Sequence, residues 1–251
     1  MRVLKGVRNL LSRVSHACAD GRVRSVVHDL SRRLYLTVKY RFIVPNYDGM
    51  MDEARCKFLY NTVINYRGEK GIIVEIGAYK GCSTTWLAIA GQRNGFASLV
   101  AIDLFAPGWH RQFGTYEEFM KRMKRNKLER FVEAIRGDSK EVIKKWDKEI
   151  AVLHIDGDHT YEAVKADVNN YIPYLKRNGI VIFDDYDSCH PDVKKVVNEL
   201  LNGGYFQIIG LVKETPGYGG GSIALKKLNP ARVIHLSALS AQPDNHNHED
   251  Y

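Results

Sequence analysis

From Gly71 to Lys227, short runs rich in β-branched residues alternate with longer amphipathic stretches, and this alternation restricts the possible folds more than any other feature. Strands that alternate with helices of this length are typical of a parallel, doubly wound α/β sheet. The last two runs have no helix between them, so we expect them to pair antiparallel. The predicted strands are "GIIVEIG", "SLVAID", "RFVEAI", "IAVLHID", "GIVIFDD", "YFQIIGLV" and "GSIALKK".

The positive charge of the chain is concentrated at its start. The net charge is +8, and residues 1–44 hold ten Lys/Arg against two Asp/Glu, whereas the rest of the chain holds 27 of each sign. Apolar residues recur there at helical spacing. We therefore expect a basic helical arm with its linker over residues 1–49, a main domain over 50–230 and a polar tail over 231–251. A basic face would raise the charge of the main domain, so its neutrality disfavours nucleic-acid binding.

The role of the arm has three alternatives. Its apolar face, flanked by arginines, suits an interfacial helix on an anionic membrane. The same face could instead pack on the main domain or on a second subunit, and a mitochondrial presequence is the third reading. No stretch reaches the roughly 20 apolar residues of a membrane span, and the four cysteines form no CxxC pair. We expect a cytoplasmic homo-oligomer, with peripheral membrane contact as the alternative.

Ligands of such sheets bind beyond the carboxyl ends of the strands. The first strand ends in "VEIGAYKGCST", where Gly77 and Gly81 allow a tight turn and a close backbone approach. This GxxxG spacing differs from the GxGxxG of dinucleotide-binding folds. Glu75 precedes the turn, and an acid at that place repels a pyrophosphate but suits a cationic ligand.

The next two strands also end in polar groups. Asp103 closes the second strand and is well placed to accept hydrogen bonds from both hydroxyls of a ribose. Asp138 and Ser139 follow the third strand. A helix N-cap is an equally good explanation of Asp138, so the ordered set carries more weight than any one residue.

The fourth and fifth strands bring several acids to one edge of the sheet. Asp156, Asp158 and His159 follow the fourth strand, and Asp184 and Asp185 end the fifth. Three carboxylates that converge repel one another unless a cation is present, and an all-oxygen ligand set suits Mg²⁺. Helix capping by Asp158 is the alternative, but capping accounts for one acid per helix and leaves the others unexplained.

These motifs carry a family resemblance. "VEIGAYKGCST", "IDGDHTYEAVKAD" and "YLKRNGIVIFDDYD" resemble segments of class I S-adenosylmethionine (SAM) dependent methyltransferases, over about residues 71–227. Within that class the chain resembles the macrocin O-methyltransferase-like group, which acts on sugars of natural products, and its first motif is similar to that of catechol O-methyltransferase. Both are Mg²⁺-dependent. The resemblance implies a Rossmann-like fold that uses SAM and Mg²⁺.

The resemblance also implies roles for individual residues. The resemblance implies that the metal ligands are Asp156, Asp184 and Asp185. It implies that the cofactor contacts are Glu75, Gly77, Tyr79, Gly81, Ser83, Asp103, Asp138, Ser139 and Asp156. His159 stands where catechol enzymes have a lysine, and related sugar enzymes use a histidine there or an aspartate one residue earlier, which is Asp158. We favour His159 as the base because the unperturbed imidazole pKa is about 6.5.

The predicted reaction is methyl transfer to a hydroxyl of a sugar, glycan or natural product. Four alternatives remain: a catechol-type O-methyltransferase, a nucleic-acid methyltransferase, a nicotinamide-dependent oxidoreductase and a non-catalytic adaptor with a SAM-binding fold. The GxxxG spacing and Glu75 disfavour the oxidoreductase. The "DGDH" run stands where base N-methyltransferases commonly carry an Asn/Asp-Pro-Pro-Tyr run, and the intact set of acids disfavours the adaptor.

Overall fold

The computed structural model describes residues 51–105, 115–214 and 220–228, together with four helical positions in the arm. The chain divides into two compact units, Met1–Asn46 and Tyr47–Tyr251. In the first unit the described positions include Val26, Leu30 and Leu34, which are 58%, 54% and 49% exposed and lie one helical turn apart. Most of the arm and the predicted tail over 231–251 lie outside the described residues, so membrane or subunit contact through the arm stays a prediction. No helix in the described part of the chain is long and apolar enough to cross a membrane.

Seven strands form one sheet in the order β3-β2-β1-β4-β5-β7-β6. Neighbours among β1 to β5 run parallel, whereas β7 pairs antiparallel with both β5 and β6. This topology confirms the predicted α/β sheet. The strands are β1 (Ile72–Ile76), β2 (Leu99–Asp103), β3 (Val132–Arg136), β4 (Ile150–Ile155), β5 (Leu175–Phe183), β6 (Phe206–Val212) and β7 (Ser222–Lys227).

Six α-helices accompany the sheet in the described residues. Asp52 caps the first of them, because its Oδ1 accepts a hydrogen bond of 2.8 Å from the amide of Arg55. The helices are α1 (Glu53–Ile64), α2 (Cys82–Arg93), α3 (Thr115–Arg125), α4 (Ser139–Val142), α5 (Tyr161–Tyr171) and α6 (Pro191–Asn202), and 3₁₀ turns follow α4 and α5 at Ile143–Lys145 and Ile172–Tyr174.

Helices cover both faces of the sheet. Successive residues of a strand point to opposite faces, and Val74 of β1 shares one hydrophobic cluster with buried residues of α5 and α6. Its neighbour Ile73 faces α2, where a Cβ on Gly91 would come within 2.6 Å of the Ile73 Cδ1. A sheet covered in this way exposes mainly its strand ends, so polar residues at the carboxyl ends can meet in solvent-accessible space.

Two elements differ from the sequence prediction. Helix α3 was not predicted, because its sequence is largely charged and only Thr115, Phe119 and Met123 are buried. Strand β5 begins at Leu175, whereas the predicted run begins at Gly179. The polar residues "KRN" form an irregularity in the β4–β5 pairing, where Ile150 pairs with Leu175 but Val152 pairs with Ile180, so no apolar run marks the start of this strand.

Candidate active site

Backbone hydrogen bonds connect the carboxyl ends of five parallel strands into one edge. The amide of Gly77 donates to the Ile102 carbonyl over 2.9 Å, and the amide of Asp156 donates to the Ile76 carbonyl over 2.8 Å. Equivalent bonds run from Gly137 to Asp103 and from Asp184 to Ile155. The residues that follow β3, β2, β1, β4 and β5 therefore lie side by side, as the sequence analysis required for a shared site.

The glycine-containing loop after β1 has a backbone that other residues would strain. Gly77 has φ +89°, and a Cβ there would lie 1.8 Å from the carbonyl oxygen of Asp156. Gly81 has φ +77°, caps α2, and a Cβ there would lie 2.8 Å from the Phe119 ring. The loop therefore needs both glycines to pass close to β4 and α3, and it opens onto the strand ends where a ligand would bind.

Asp103 is oriented by the two loops beside it. Its Oδ2 accepts a hydrogen bond of 2.7 Å from the amide of Tyr79, and its Oδ1 accepts one of 2.5 Å from the amide of Phe105. Each carboxylate oxygen has two lone pairs, so each retains an acceptor site. The side chain is thus fixed in place while it can still receive two hydroxyl groups.

We predict that Asp103→Ala weakens SAM binding by more than about tenfold, because each hydrogen bond from a ribose hydroxyl to this charged group is worth about 1.5–3 kcal/mol. Calorimetric titration of the variant measures the effect. Asp103→Asn is the matched control: it keeps one acceptor oxygen at the same place, so we expect a smaller loss. An unchanged dissociation constant for the alanine variant would remove Asp103 from the site.

Four other predicted cofactor contacts are buried or form hydrogen bonds with other groups of the protein. Glu75 is fully buried, and its carboxylate accepts a hydrogen bond from Thr84 and lies 3.1 Å from Nδ1 of His154. Ser83 is buried. Asp138 is exposed and caps α4 through the amide of Lys140, as the capping alternative anticipated, and the Ser139 hydroxyl donates to Asp167 over 2.6 Å. Direct cofactor contacts by these residues stay predictions.

Three carboxylates meet where β4 and β5 end. One oxygen each from Asp156, Asp184 and Asp185 lies within 4.8 Å of the other two. Asp184 is buried and its Oδ1 accepts a hydrogen bond from Ser222, whereas Asp156 and Asp185 are partly exposed. The structure therefore brings together the three residues that the sequence analysis assigned to a metal.

A cationic side chain also enters this cluster. Arg55 of α1 places one guanidinium nitrogen 2.8 Å from Oδ2 of Asp184 and 3.2 Å from Oδ1 of Asp185. It is 3% exposed and packs against Gly220, where a Cβ would come within 2.2 Å of the same nitrogen. Arg55 was not among the predicted site residues, because a single arginine gives no sequence signal of a partner 129 residues away.

The electrostatics of the cluster show how far Arg55 compensates the acids. Burial opposes the charged guanidinium, but the carboxylates of Asp184 and Asp185 outweigh it and raise the pKa of Arg55. Burial, followed by repulsion from Asp184 and Asp185, holds the pKa of Asp156 well above its ordinary value. Burial also raises the pKa of Asp184, although Arg55 opposes this shift. Arg55 thus satisfies two carboxylates and leaves negative charge around the third.

The donor set fits a hard divalent cation. Among the residues that the structure describes, none makes a hydrogen bond or salt bridge with the Asp156 carboxylate, although Arg55 attracts it at longer range. Asp184 and Asp185 share Arg55, but their oxygens keep lone pairs for a second cation. Mg²⁺ is commonly held by one or two carboxylates and several waters, so these three residues can supply its protein ligands.

The two candidate bases have different surroundings. His159 is partly buried, with Nε2 2.9 Å from Oδ2 of Asp185, and this contact raises its pKa although burial opposes the shift. Asp158 is exposed and accepts a hydrogen bond of 2.9 Å from the amide of Thr160, which is the first cause of its lowered pKa. His159 therefore lies beside the acidic cluster, whereas Asp158 stabilises the turn before α5.

A second histidine lies beside the first. The rings of His159 and His190 have centroids 4.4 Å apart and an interplanar angle of 64°. Nδ1 of His190 lies 3.1 Å from Oδ1 of the buried Asp187. His190 was not among the predicted site residues, although "DSCHP" immediately follows the acidic strand end.

Comparison with known proteins identifies the domain that contains this site. Residues 74–186 match the family described as "Methyltransferase domain". This segment is similar to methyltransferase domains. The match includes the glycine loop, Asp103 and the acidic cluster but not Arg55, and it confirms the prediction that the chain is a methyltransferase. An uncharacterized protein of Acanthamoeba polyphaga mimivirus is 27% identical over 214 residues, which span 75% of this chain and 89% of that protein.

Solved structures share the fold at low sequence identity. The O-methyltransferase of Bacillus cereus, in complex with SAH, gives a TM-score of 0.55 at 18% identity and covers 89% of this chain and 100% of its own. TomG of Streptomyces achromogenes is an O-methyltransferase of tomaymycin synthesis, solved in complex with SAM. Its TM-score is 0.56 at 17% identity, and the match covers 78% of this chain and 96% of TomG. An rRNA methylase of Streptococcus thermophilus has a TM-score of 0.52 at 16% identity, and the match covers 68% of this chain and 95% of the methylase. The shared fold therefore does not select an acceptor.

Proposed function

We propose that the protein is a SAM-dependent O-methyltransferase that uses Mg²⁺ and methylates a hydroxyl of a sugar, glycan or natural product. The observation that carries the proposal is the Asp156 carboxylate, which lies beside Asp184 and Asp185 and makes no hydrogen bond or salt bridge with the residues that the structure describes. Burial and repulsion from Asp184 and Asp185 raise its pKa, although Arg55 opposes this shift. An acidic site with residual negative charge suits a divalent cation, and a cation beside a histidine suits the activation of a hydroxyl group.

The cofactor half of the site is assigned to the ends of β1 and β2. Asp103 offers one free acceptor position on each oxygen, which matches the two hydroxyls of a ribose. Gly77 and Gly81 keep the loop backbone free of side chains, so a ligand can approach it closely. Relatives in complex with SAM or SAH support this cofactor rather than a nicotinamide.

The mechanism assigns a separate task to each group of residues. When bound, SAM supplies a methyl group activated by its sulfonium, and Mg²⁺ supplies a Lewis acid that polarises the acceptor hydroxyl. Asp156, Asp184 and Asp185 hold the cation, and Asp103 helps to fix the nucleoside, so that the acceptor oxygen is aligned behind the methyl carbon. His159 accepts the hydroxyl proton at a ring nitrogen. Methyl transfer to the acceptor oxygen would give the methyl ether and SAH as products.

The acceptor class rests on the resemblance to the macrocin group and on His159. Catechol enzymes carry a lysine where this chain has His159, which favours the sugar-directed enzymes. A relative with a natural-product role and a similar fold agrees with a small acceptor. The balanced charge of the residues after the arm disfavours a nucleic acid as acceptor.

A methyl-transfer assay with a panel of acceptors tests the proposal. The purified full chain is incubated with SAM and with glycosides, catechols or RNA, in Mg²⁺, in excess EDTA, and after Mg²⁺ is restored. We expect methylated glycosides in Mg²⁺, loss of transfer in EDTA and recovery on restoration. Full activity in EDTA would overturn the metal assignment, and transfer to RNA alone would overturn the acceptor class.

A further inference from the structure

The two histidines at this edge of the sheet are arranged for a use that methyl transfer does not require. His159 follows β4, His190 precedes α6, and Asp185 lies between them in space. One ligand atom from each of the three lies within 4.8 Å of the other two. The side chains of His159, His190 and Asp185 are 34%, 32% and 17% exposed, although Nε2 of His159 itself is buried.

His190 is fixed by a carboxylate on its far side. Asp187 has a fully buried side chain and contacts Nδ1 of His190 over 3.1 Å. The same carboxylate accepts hydrogen bonds from the amides of Cys189, His190 and Gly220, at 2.8, 2.9 and 2.7 Å. A histidine whose Nδ1 donates to a carboxylate presents the lone pair of Nε2, and this is the usual arrangement behind a metal-bound histidine.

His159 faces Asp185 in a geometry that suits shared coordination. Its Nε2 lies 2.9 Å from Oδ2 of Asp185, yet it makes no well-aligned hydrogen bond with any residue that the structure describes. Two ligand atoms bound at about 2.1 Å to one ion at tetrahedral angles lie about 3.4 Å apart. The 2.9 Å separation of these two atoms is that of an ion pair, so the two side chains would move apart by about 0.5 Å to bind one ion.

We propose that His159, His190 and Asp185 form a second metal site, for a borderline divalent ion such as Zn²⁺ or Co²⁺. Two imidazoles and one carboxylate select these ions over Mg²⁺, which prefers oxygen ligands alone. The site shares Asp185 with the oxygen site of Asp156 and Asp184. An ion bound there occupies the lone pair of His159, so it inhibits methyl transfer; this consequence, unlike the binding itself, rests on the proposed function.

Cobalt binding tests the site without any acceptor. The metal-free full chain is titrated with Co²⁺ and followed by its visible absorption band, then with Zn²⁺ by calorimetry, in Mg²⁺-containing buffer. We expect one tight site per chain and a loss of affinity of about 10- to 100-fold or more in His190→Ala and His159→Ala, because each removes a ligand. His190→Asn is a second variant at this partly exposed position, and the same loss is expected.

Three control variants distinguish this site from other groups that could bind Co²⁺ or Zn²⁺. Cys189→Ser removes the exposed thiol next to His190, and His246→Ala with His248→Ala removes the histidines of the tail. Asp156→Asn alters the oxygen site alone. All three are expected to keep tight Co²⁺ binding. Unchanged affinity in His190→Ala, or its loss in the thiol or tail variant, would overturn the proposal.

The inhibitory consequence is measured separately. Where the acceptor panel yields turnover, Zn²⁺ is expected to inhibit the wild-type protein at concentrations that leave His190→Ala active. Equal inhibition of both proteins would contradict the link to His159. If the panel yields no turnover, the proposed function fails while the cobalt titration still decides the metal site.

Discussion

Replacing Asp156 by asparagine is expected to remove detectable methyl transfer and to leave the fold intact. SAM affinity is expected to fall less than in Asp103→Ala, since Asp156 is predicted to contact both the metal and the cofactor. Asparagine keeps the size of the side chain but removes the charge of the carboxylate that makes no hydrogen bond or salt bridge with the described residues. Neutralising it also relieves repulsion from Asp184 and Asp185, so the Tm in metal-free buffer is expected to be equal to or higher than that of the wild type. Turnover, SAM affinity and thermal melting are the three measurements.

Asp184→Asn is the comparison that shows why Asp156 is the better choice. Asp184 is buried, and its oxygens contact Arg55 and Ser222. Removing one partner of a buried ion pair costs about 3–5 kcal/mol, so this variant is expected to lose stability as well as activity, with a clearly lower Tm. Wild-type turnover by the Asp156 variant would contradict the assignment of the oxygen site.

Replacing His159 by alanine is expected to lower kcat by roughly 10²–10⁴, the range typical of a lost general base. SAM affinity is expected to change little, because His159 is not among the predicted cofactor contacts. Single-turnover rates at saturating SAM and acceptor measure the effect on the chemical step.

Asp158→Asn is the matched control for the base. Asp158 is exposed and bonded to the amide of Thr160, and its lowered pKa makes it a weaker proton acceptor. We expect this variant to retain most of its rate, with a small loss of stability in the turn before α5. An inactive Asp158 variant beside a nearly normal His159 variant would require the two roles to be exchanged.

The sequence predicted the fold where apolar runs are continuous. All seven strands and the antiparallel pairing of β7 followed from β-branched runs and from the missing helix between the last two. Helix α3 was not predicted, because only three of its residues are buried and the rest of the segment is largely charged. The start of β5 was not predicted, because an irregularity formed by polar residues separates Leu175 from the apolar run at Ile180. Local pattern is a weak guide where tertiary packing decides the structure.

The acidic part of the site was predictable for a different reason. In a parallel sheet, residues that follow neighbouring strands must lie close together, so Asp156 and the Asp184–Asp185 pair could be placed from topology alone. Arg55 and His190 could not, because they lie on helix α1 and in the turn before α6, whose positions depend on packing. Glu75 was predicted as a cofactor contact. Its side chain is buried against Thr84 and His154, and the contact stays a prediction.

The central claim is that this site binds SAM, and equilibrium binding to the purified wild-type chain tests it without knowledge of the acceptor. Calorimetric titrations with SAM, SAH and NAD are compared in one buffer, and Asp103→Ala is titrated alongside. We predict that SAM and SAH each bind at one site per chain, that Asp103→Ala weakens both, and that NAD does not bind. A folded wild-type chain that binds NAD and not SAM would contradict the account.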